Sequence, residues 1–90
     1  MKIKKDYILK EIAGQYVVIP VGEEAIKFNG IISLNKSGKR LFEKMKNNQT
    51  EETLIKFLMS TYDVSKEKAR IDVLGFIKIL KENKLLDEKS

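Results

Sequence analysis

Residues 29–38 read Asn-Gly-Ile-Ile-Ser-Leu-Asn-Lys-Ser-Gly and mark the point at which the chain changes from strand-like to helix-like sequence. Within this stretch Ile32 and Leu34 fall on one side of an extended segment, while their sequence neighbours fall on the other. Asn35 then offers a side-chain oxygen that can cap the free N–H groups of a following helix. The stretch therefore predicts a strand that ends directly at a helix cap.

Two strands are expected upstream of this stretch. Residues 7–13 alternate well enough for a half-buried strand, and Gly14-Gln15 is expected to form a turn. Residues 16–21 are apolar on both sides, which favours the middle strand of a three-stranded antiparallel meander. Pro20 should end that strand, because it has no N–H group to donate to a ladder.

The third strand is expected within residues 26–34, and its continuous part comprises Ile31, Ile32, Ser33 and Leu34. If the second strand is central, the third lies at an edge of the sheet. Residues 1–6 are mostly polar, and we expect them to be loosely held.

Three helices are expected from Asn35 onward, where the apolar period lengthens to about three and a half residues. The first should end at residues 47–49 and bury Leu41, Phe42 and Met45. Thr50 is a suitable N-cap for the second helix, whose buried stripe should comprise Leu54, Phe57, Leu58 and Tyr62. Ser65 should cap a third helix that runs to about Asn83.

The third helix carries the most informative pattern. At about 100° per residue, its core stripe is predicted to comprise Ala69, Val73, Phe76, Ile77 and Leu80. Ile71 and Leu74 lie off that stripe, flanking Gly75 and Lys78. A glycine inside a helix lowers stability by about 1 kcal/mol relative to alanine, unless a neighbouring group packs into the space left by the missing side chain. Either sheet and loop residues or a transient partner cover this second apolar patch.

Composition limits the range of functions. Ninety residues suffice for one domain, residues 1–90, but leave little room for an enclosed active site. The chain contains no Cys and no His, which removes thiolate nucleophiles, Cys/His zinc sites and the usual acid–base group. We therefore expect a binding protein that is not an enzyme and needs no cofactor. No signal peptide or membrane span is evident, so a cytoplasmic location is expected.

The formal net charge of +5 raises the question of nucleic-acid binding. Basic residues are locally concentrated only in residues 36–46, where Glu43 opposes them, and elsewhere they alternate with acids. This distribution favours a solvated surface over a phosphate-binding one.

Five stretches, spread over nearly the whole chain, carry a resemblance to a known family. They are Glu11-Ile-Ala-Gly-Gln-Tyr-Val-Val-Ile-Pro20, Asn29-Gly-Ile-Ile-Ser-Leu-Asn35 with Gly38, Thr50-Glu-Glu-Thr-Leu54, Tyr62-Asp-Val64, and Ala69-Arg-Ile-Asp-Val-Leu-Gly-Phe76 with Leu85-Leu86. Together they resemble the PqqD-like family, the small leader-peptide recognition domains of pathways for ribosomally made, post-translationally modified peptides.

The resemblance implies an α+β fold of winged helix-turn-helix type. It implies that the third strand and third helix bind the leader of a precursor peptide by strand addition. The core of the precursor would then be presented to a separate modifying enzyme, often a radical S-adenosylmethionine enzyme. By position, the implied peptide-binding residues are Ile31, Ile32, Ser33, Leu34, Ile71, Leu74, Gly75 and Lys78.

A winged-helix DNA-binding protein is the alternative. In that case the third helix would enter a groove of the duplex. Its residues Ile71, Leu74 and Gly75 offer no bidentate base readers, and Asp72 would repel phosphate. The composition of this helix therefore favours a peptide partner over nucleic acid.

Overall fold

The computed structural model describes residues 1–22 and 31–87. Within these residues an antiparallel sheet has the order β1-β2-β3, formed by β1 (Tyr7–Ile12), β2 (Gln15–Pro20) and β3 (Ile32–Leu34). Three helices follow, α1 (Lys36–Lys44), α2 (Glu51–Thr61) and α3 (Lys66–Glu82). The predicted α+β class, with its three-stranded antiparallel sheet followed by three helices, is confirmed. The central position of the second strand is confirmed as well.

A two-residue turn at Ala13 and Gly14 joins β1 to β2. Both residues have positive φ, 52° and 78° respectively, as a type I′ hairpin turn requires. The turn therefore begins one residue earlier than predicted, and Gln15 is the first residue of β2. β2 ends at Pro20, as its missing N–H group predicts.

The amino-terminal residues 1–6 are held in place, so the prediction of a loose segment was wrong. Ile3 is buried, and it forms an isolated antiparallel bridge with Leu86. The N–H of Lys4 donates to the carbonyl of Leu85 at 2.9 Å. The segment is polar on average, but its one buried isoleucine ties the start of the chain to the end of the described residues.

Each helix begins at a side-chain cap that the sequence predicts, and the capping residues are Asn35, Thr50 and Ser65. At α1, Oδ1 of Asn35 accepts a hydrogen bond from the N–H of Gly38 at 2.8 Å. α1 ends at Lys44, earlier than the predicted residues 47–49. The next residue, Met45, is fully buried, so the chain leaves the helix while still in contact with the core.

The core lies between the inner face of the sheet and the three helices. The predicted core stripe of α3 is buried throughout, at Ala69, Val73, Phe76, Ile77 and Leu80. α2 differs from its prediction, because Ile55 is buried whereas Phe57 and Tyr62 are only half-buried. α2 contacts both α1 and α3, which broadens its buried face beyond a single stripe.

The Asn35 cap generates a stability prediction. Asn35→Ala removes the acceptor for the N–H of Gly38 and should lower the free energy of unfolding by about 1 kcal/mol. Asn35→Asp keeps an acceptor at the same place and should retain most of the stability. Urea denaturation of the three proteins measures both effects, and equal losses in the two variants would contradict the capping role.

Candidate functional site

The outer edge of β3 has no partner strand among residues 1–22 and 31–87. Its other edge pairs with β2, so that Leu34 lies opposite Tyr16 and Ile32 opposite Val18. Ile31 lies just before the strand, with 65% of its surface exposed. The predicted approach segment at residues 26–30 falls outside the described residues. An edge of this kind can accept an added strand by main-chain hydrogen bonding.

The β1–β2 hairpin fixes the direction of the backbone groups in β2. The residues that flank a two-residue hairpin turn, here Ile12 and Gln15, form a hydrogen-bonded pair. Backbone groups alternate along a strand, so odd-numbered residues of β2 bond to β1 and even-numbered residues face β3. The N–H of Val21 donates to the carbonyl of Asp6 at 2.8 Å, in keeping with this alternation.

The same alternation identifies the outward-facing residue of β3. Ile32 and Leu34 lie opposite even-numbered residues of β2, so their backbone groups point into the sheet. Ser33, between them, directs its N–H and its carbonyl oxygen toward the outer edge. Ser33 is therefore the residue of β3 whose main chain is available to an added strand.

A groove of about 290 Å³ lies between β3 and α3. One wall comes from the end of β3 and the first turns of α1, and the other comes from α3. The lining residues are Ser33, Leu34, Asn35, Ser37, Gly38, Leu41, Ile71, Asp72, Gly75, Phe76 and Ile79. The available main chain of Ser33 thus lies beside a groove with a largely apolar helical wall.

The structure brings part of the predicted peptide-binding set together at this groove. Ser33, Leu34, Ile71 and Gly75 line it. Ile31 and Ile32 are not among its lining residues and come before Ser33 in the chain. Leu74 and Lys78 also lie outside the lining, and Lys78 is within 3.9 Å of Glu82 along the exposed surface of α3.

Sequence reasoning missed Ile79 on the helical wall. Residues four apart are separated by only about 40° around a helix, so Ile71, Gly75 and Ile79 form one row. Leu74 is adjacent to Gly75 in sequence but lies about 100° away around the axis. The four-residue spacing from Gly75 was a signal that could have identified Ile79.

Gly75 leaves space that the groove uses. A Cβ atom built at this position meets no heavy atom within 4 Å outside its immediate chain neighbours and its own helix backbone. No neighbouring part of the described fold therefore requires a glycine here. The missing side chain instead keeps the middle of the helical wall open, next to the groove.

The groove carries little net charge. Asp72 is the one charged residue among the described residues that line it, and its Oδ1 lies 2.9 Å from Nζ of Lys68. Within residues 1–22 and 31–87, no group of three or more acidic, Cys or His side chains is arranged to hold a metal ion. Nor does any helix of the described part have the length and apolar character needed to cross a membrane.

Comparison with known proteins identifies a matching family model and two similar folds. The family model described as Coenzyme PQQ synthesis protein D (PqqD) matches residues 15–86. The structure of TbiB1 in complex with the TbiA(beta) leader peptide superposes with a TM-score of 0.74 at 18% sequence identity, covering 98% of this chain and 96% of that one. Lasso peptide synthetase B1 complexed with the leader peptide superposes with a TM-score of 0.70 at 18% identity, covering 93% of each chain. No curated protein sequence matches the chain significantly.

Proposed function

The chain belongs to the PqqD family, and from this premise we propose that it captures the leader of a ribosomally made precursor peptide. The observation that carries the proposal is the outward main chain of Ser33 beside the groove between β3 and α3. An extended leader segment would add to the sheet at Ser33 and place alternate side chains against Ile71, Gly75 and Ile79. The two related folds were each solved with a leader peptide bound, which supports the same role here.

The proposed role is binding and presentation without catalysis. The chain holds no Cys and no His, and among the described residues that line the groove the one acidic side chain is already paired with a lysine. The chemistry would come from a separate modifying enzyme, for which a radical S-adenosylmethionine enzyme is one candidate class. The cytoplasm is the proposed compartment, because a ribosomally made precursor is available there before export.

The salt dependence of the binding affinity distinguishes a peptide partner from a DNA partner. Strand addition and apolar packing depend only modestly on ions, whereas each phosphate contact releases counterions and makes binding fall steeply with salt. Overlapping synthetic peptides that cover the short reading frames beside this gene are titrated with the protein at increasing salt concentrations. At least one of these tiled peptides should bind with an affinity that persists as salt rises. Duplex DNA titrated in parallel should bind weakly and lose affinity as salt rises. Sequence-specific DNA binding, with no tiled peptide bound, would contradict the proposal.

The main chain of Ser33 provides a second prediction. N-methylation of Ser33 by semisynthesis removes the outward N–H and should weaken binding of the tiled peptide by about 1–3 kcal/mol, because a peptide carbonyl is left unpaired. The fold should stay intact, since that N–H makes no bond within the sheet. N-methylation of Leu34, whose backbone points inward, is the matched control and should lower stability instead. Equal binding by the Ser33 derivative and the unmodified protein would exclude strand addition at this position.

Gly75→Ala should change stability and affinity in opposite directions. Alanine has the higher helix propensity and meets no crowding here, so the free energy of unfolding should rise by about 0.5–1 kcal/mol. The added methyl group narrows the groove and should weaken peptide binding. Lys78→Ala, on an exposed surface of α3 outside the groove, should leave peptide affinity nearly unchanged. Thermal unfolding and calorimetric titration measure the two effects, and unchanged affinity in Gly75→Ala would place the peptide elsewhere.

A further inference from the structure

A separate cleft lies between the start of β1 and the end of α1. Its volume is about 290 Å³, and its lining residues are Ile3, Lys4, Lys5, Tyr7, Ile8, Phe42 and Lys46. We call it the Lys46 cleft. It shares no lining residue with the groove between β3 and α3, so the proposed leader binding leaves its role unexplained.

The Lys46 cleft has an apolar floor and a basic rim. Ile3, Tyr7 and Phe42 are buried beneath it as part of the core. Above this floor Ile8 is only half-buried, and the methylene stems of the surrounding lysines add to the apolar surface that a partner can reach. An accessible apolar patch with a charged rim is typical of a surface that binds another protein.

The charged side chains of the rim all have the same sign. Lys5 and Lys46 are exposed, and Lys4 is half-buried. Within the described part of the chain every ion pair is formed by other lysines, so no described carboxylate neutralises these three. The nearest acids in the sequence, Asp6 and Glu43, do not line the cleft. An acidic partner would relieve the repulsion among the three ammonium groups.

The position of the Lys46 cleft leaves it accessible while the groove is occupied. β1 and β3 form opposite edges of the described sheet, with β2 between them. The cleft lies beside β1 and the end of α1, whereas the groove lies beside β3 and the start of α1. A leader added to β3 therefore leaves the cleft free for a second macromolecule. A domain that presents a leader to a separate enzyme needs such a second surface.

From these observations, and resting on the proposed leader-binding function, we propose that the Lys46 cleft docks the modifying enzyme. It takes an acidic segment of that enzyme, whose carboxylates face Lys5 and Lys46 while one apolar side chain contacts Ile8. A second copy of this chain suits the cleft less well, because each copy carries a net charge of +5. A nucleic-acid backbone supplies anions but no apolar side chain to contact Ile8.

The test uses the purified protein products of the longer reading frames beside this gene. Each is titrated with this protein in the presence of the tightest-binding tiled peptide, and one of them should bind. Lys46→Glu should weaken that binding about tenfold or more at low salt, because it sets like charges against each other. Lys66→Glu is the matched control, since Lys66 is also exposed, lines neither cavity and undergoes the same change of charge. Affinity for the tiled peptide should be the same in both variants and the unmodified protein.

Ile8→Thr tests the apolar contact while keeping a β-branched side chain in β1. Affinity for the same protein product should fall several-fold, and this loss should persist at high salt. The loss caused by Lys46→Glu should shrink as salt rises, because salt screens exposed charges. Thermal unfolding of each variant checks that the fold is retained, and Lys5→Glu, at another exposed position of the rim, repeats the charge test if Ile8→Thr does not fold.

Three outcomes overturn the docking role while leaving leader binding in place. The first is that no neighbouring product binds, or that one binds Lys46→Glu and Lys66→Glu equally well. The second is that Lys46→Glu loses affinity for the tiled peptide, which would assign the cleft to the leader. The third is that Lys46→Glu instead abolishes self-association in sedimentation or binding to duplex DNA. If no tiled peptide binds, the proposed function and the docking role both fall.

Discussion

The contact between the end of β3 and the first turn of α1 is the constraint on which the site depends. The N–H of Gly38 donates to Oδ1 of Asn35, and a Cβ atom at Gly38 would lie 3.1 Å from that oxygen and 3.3 Å from Cβ of Leu34. The end of the strand and the first turn of the helix therefore lie close together, and even a methyl group at Gly38 would be crowded by Asn35 and Leu34. This close approach fixes the angle at which the chain leaves the sheet and sets one wall of the groove.

The helix α3 forms the opposite wall of the groove. One side of this helix packs into the core, and another side lines the groove. One side is buried to completion at residues such as Val73 and Leu80, which fixes the rotation of the helix about its own axis. Once that rotation is fixed, Ile71, Gly75 and Ile79 must face the groove, with Ile71 still 60% exposed. Both walls are thus held by the core and not by a ligand. A partner that binds there does not have to organise its own site.

Local chemistry explains why much of this fold could be predicted from sequence. Asn35, Thr50 and Ser65 act within three residues of their own positions, so a short window reveals the caps. The tether at Ile3 could not be found in that way, because its partner Leu86 lies at the other end of the chain. The choice between Leu74 and Ile79 failed for a related reason. Both lie off the core stripe. The four-residue spacing groups Ile79 with Ile71 and Gly75, but the tertiary placement of β3 is what shows that this row faces the groove.

Charge contributes less to the site than the basic composition suggests. Nζ of Lys39 lies 4.9 Å from the ring centroid of Tyr16, and Nζ of Lys44 lies 5.3 Å from that of Phe57. Such contacts give these lysines a role in packing the surface of the domain, which needs no phosphate partner. The acidic residue of the groove is itself paired with a lysine. The proposed strand addition therefore relies on the edge of β3, which is unpaired among the described residues, and on the apolar groove beside it. These features suit an extended peptide better than a nucleic-acid backbone.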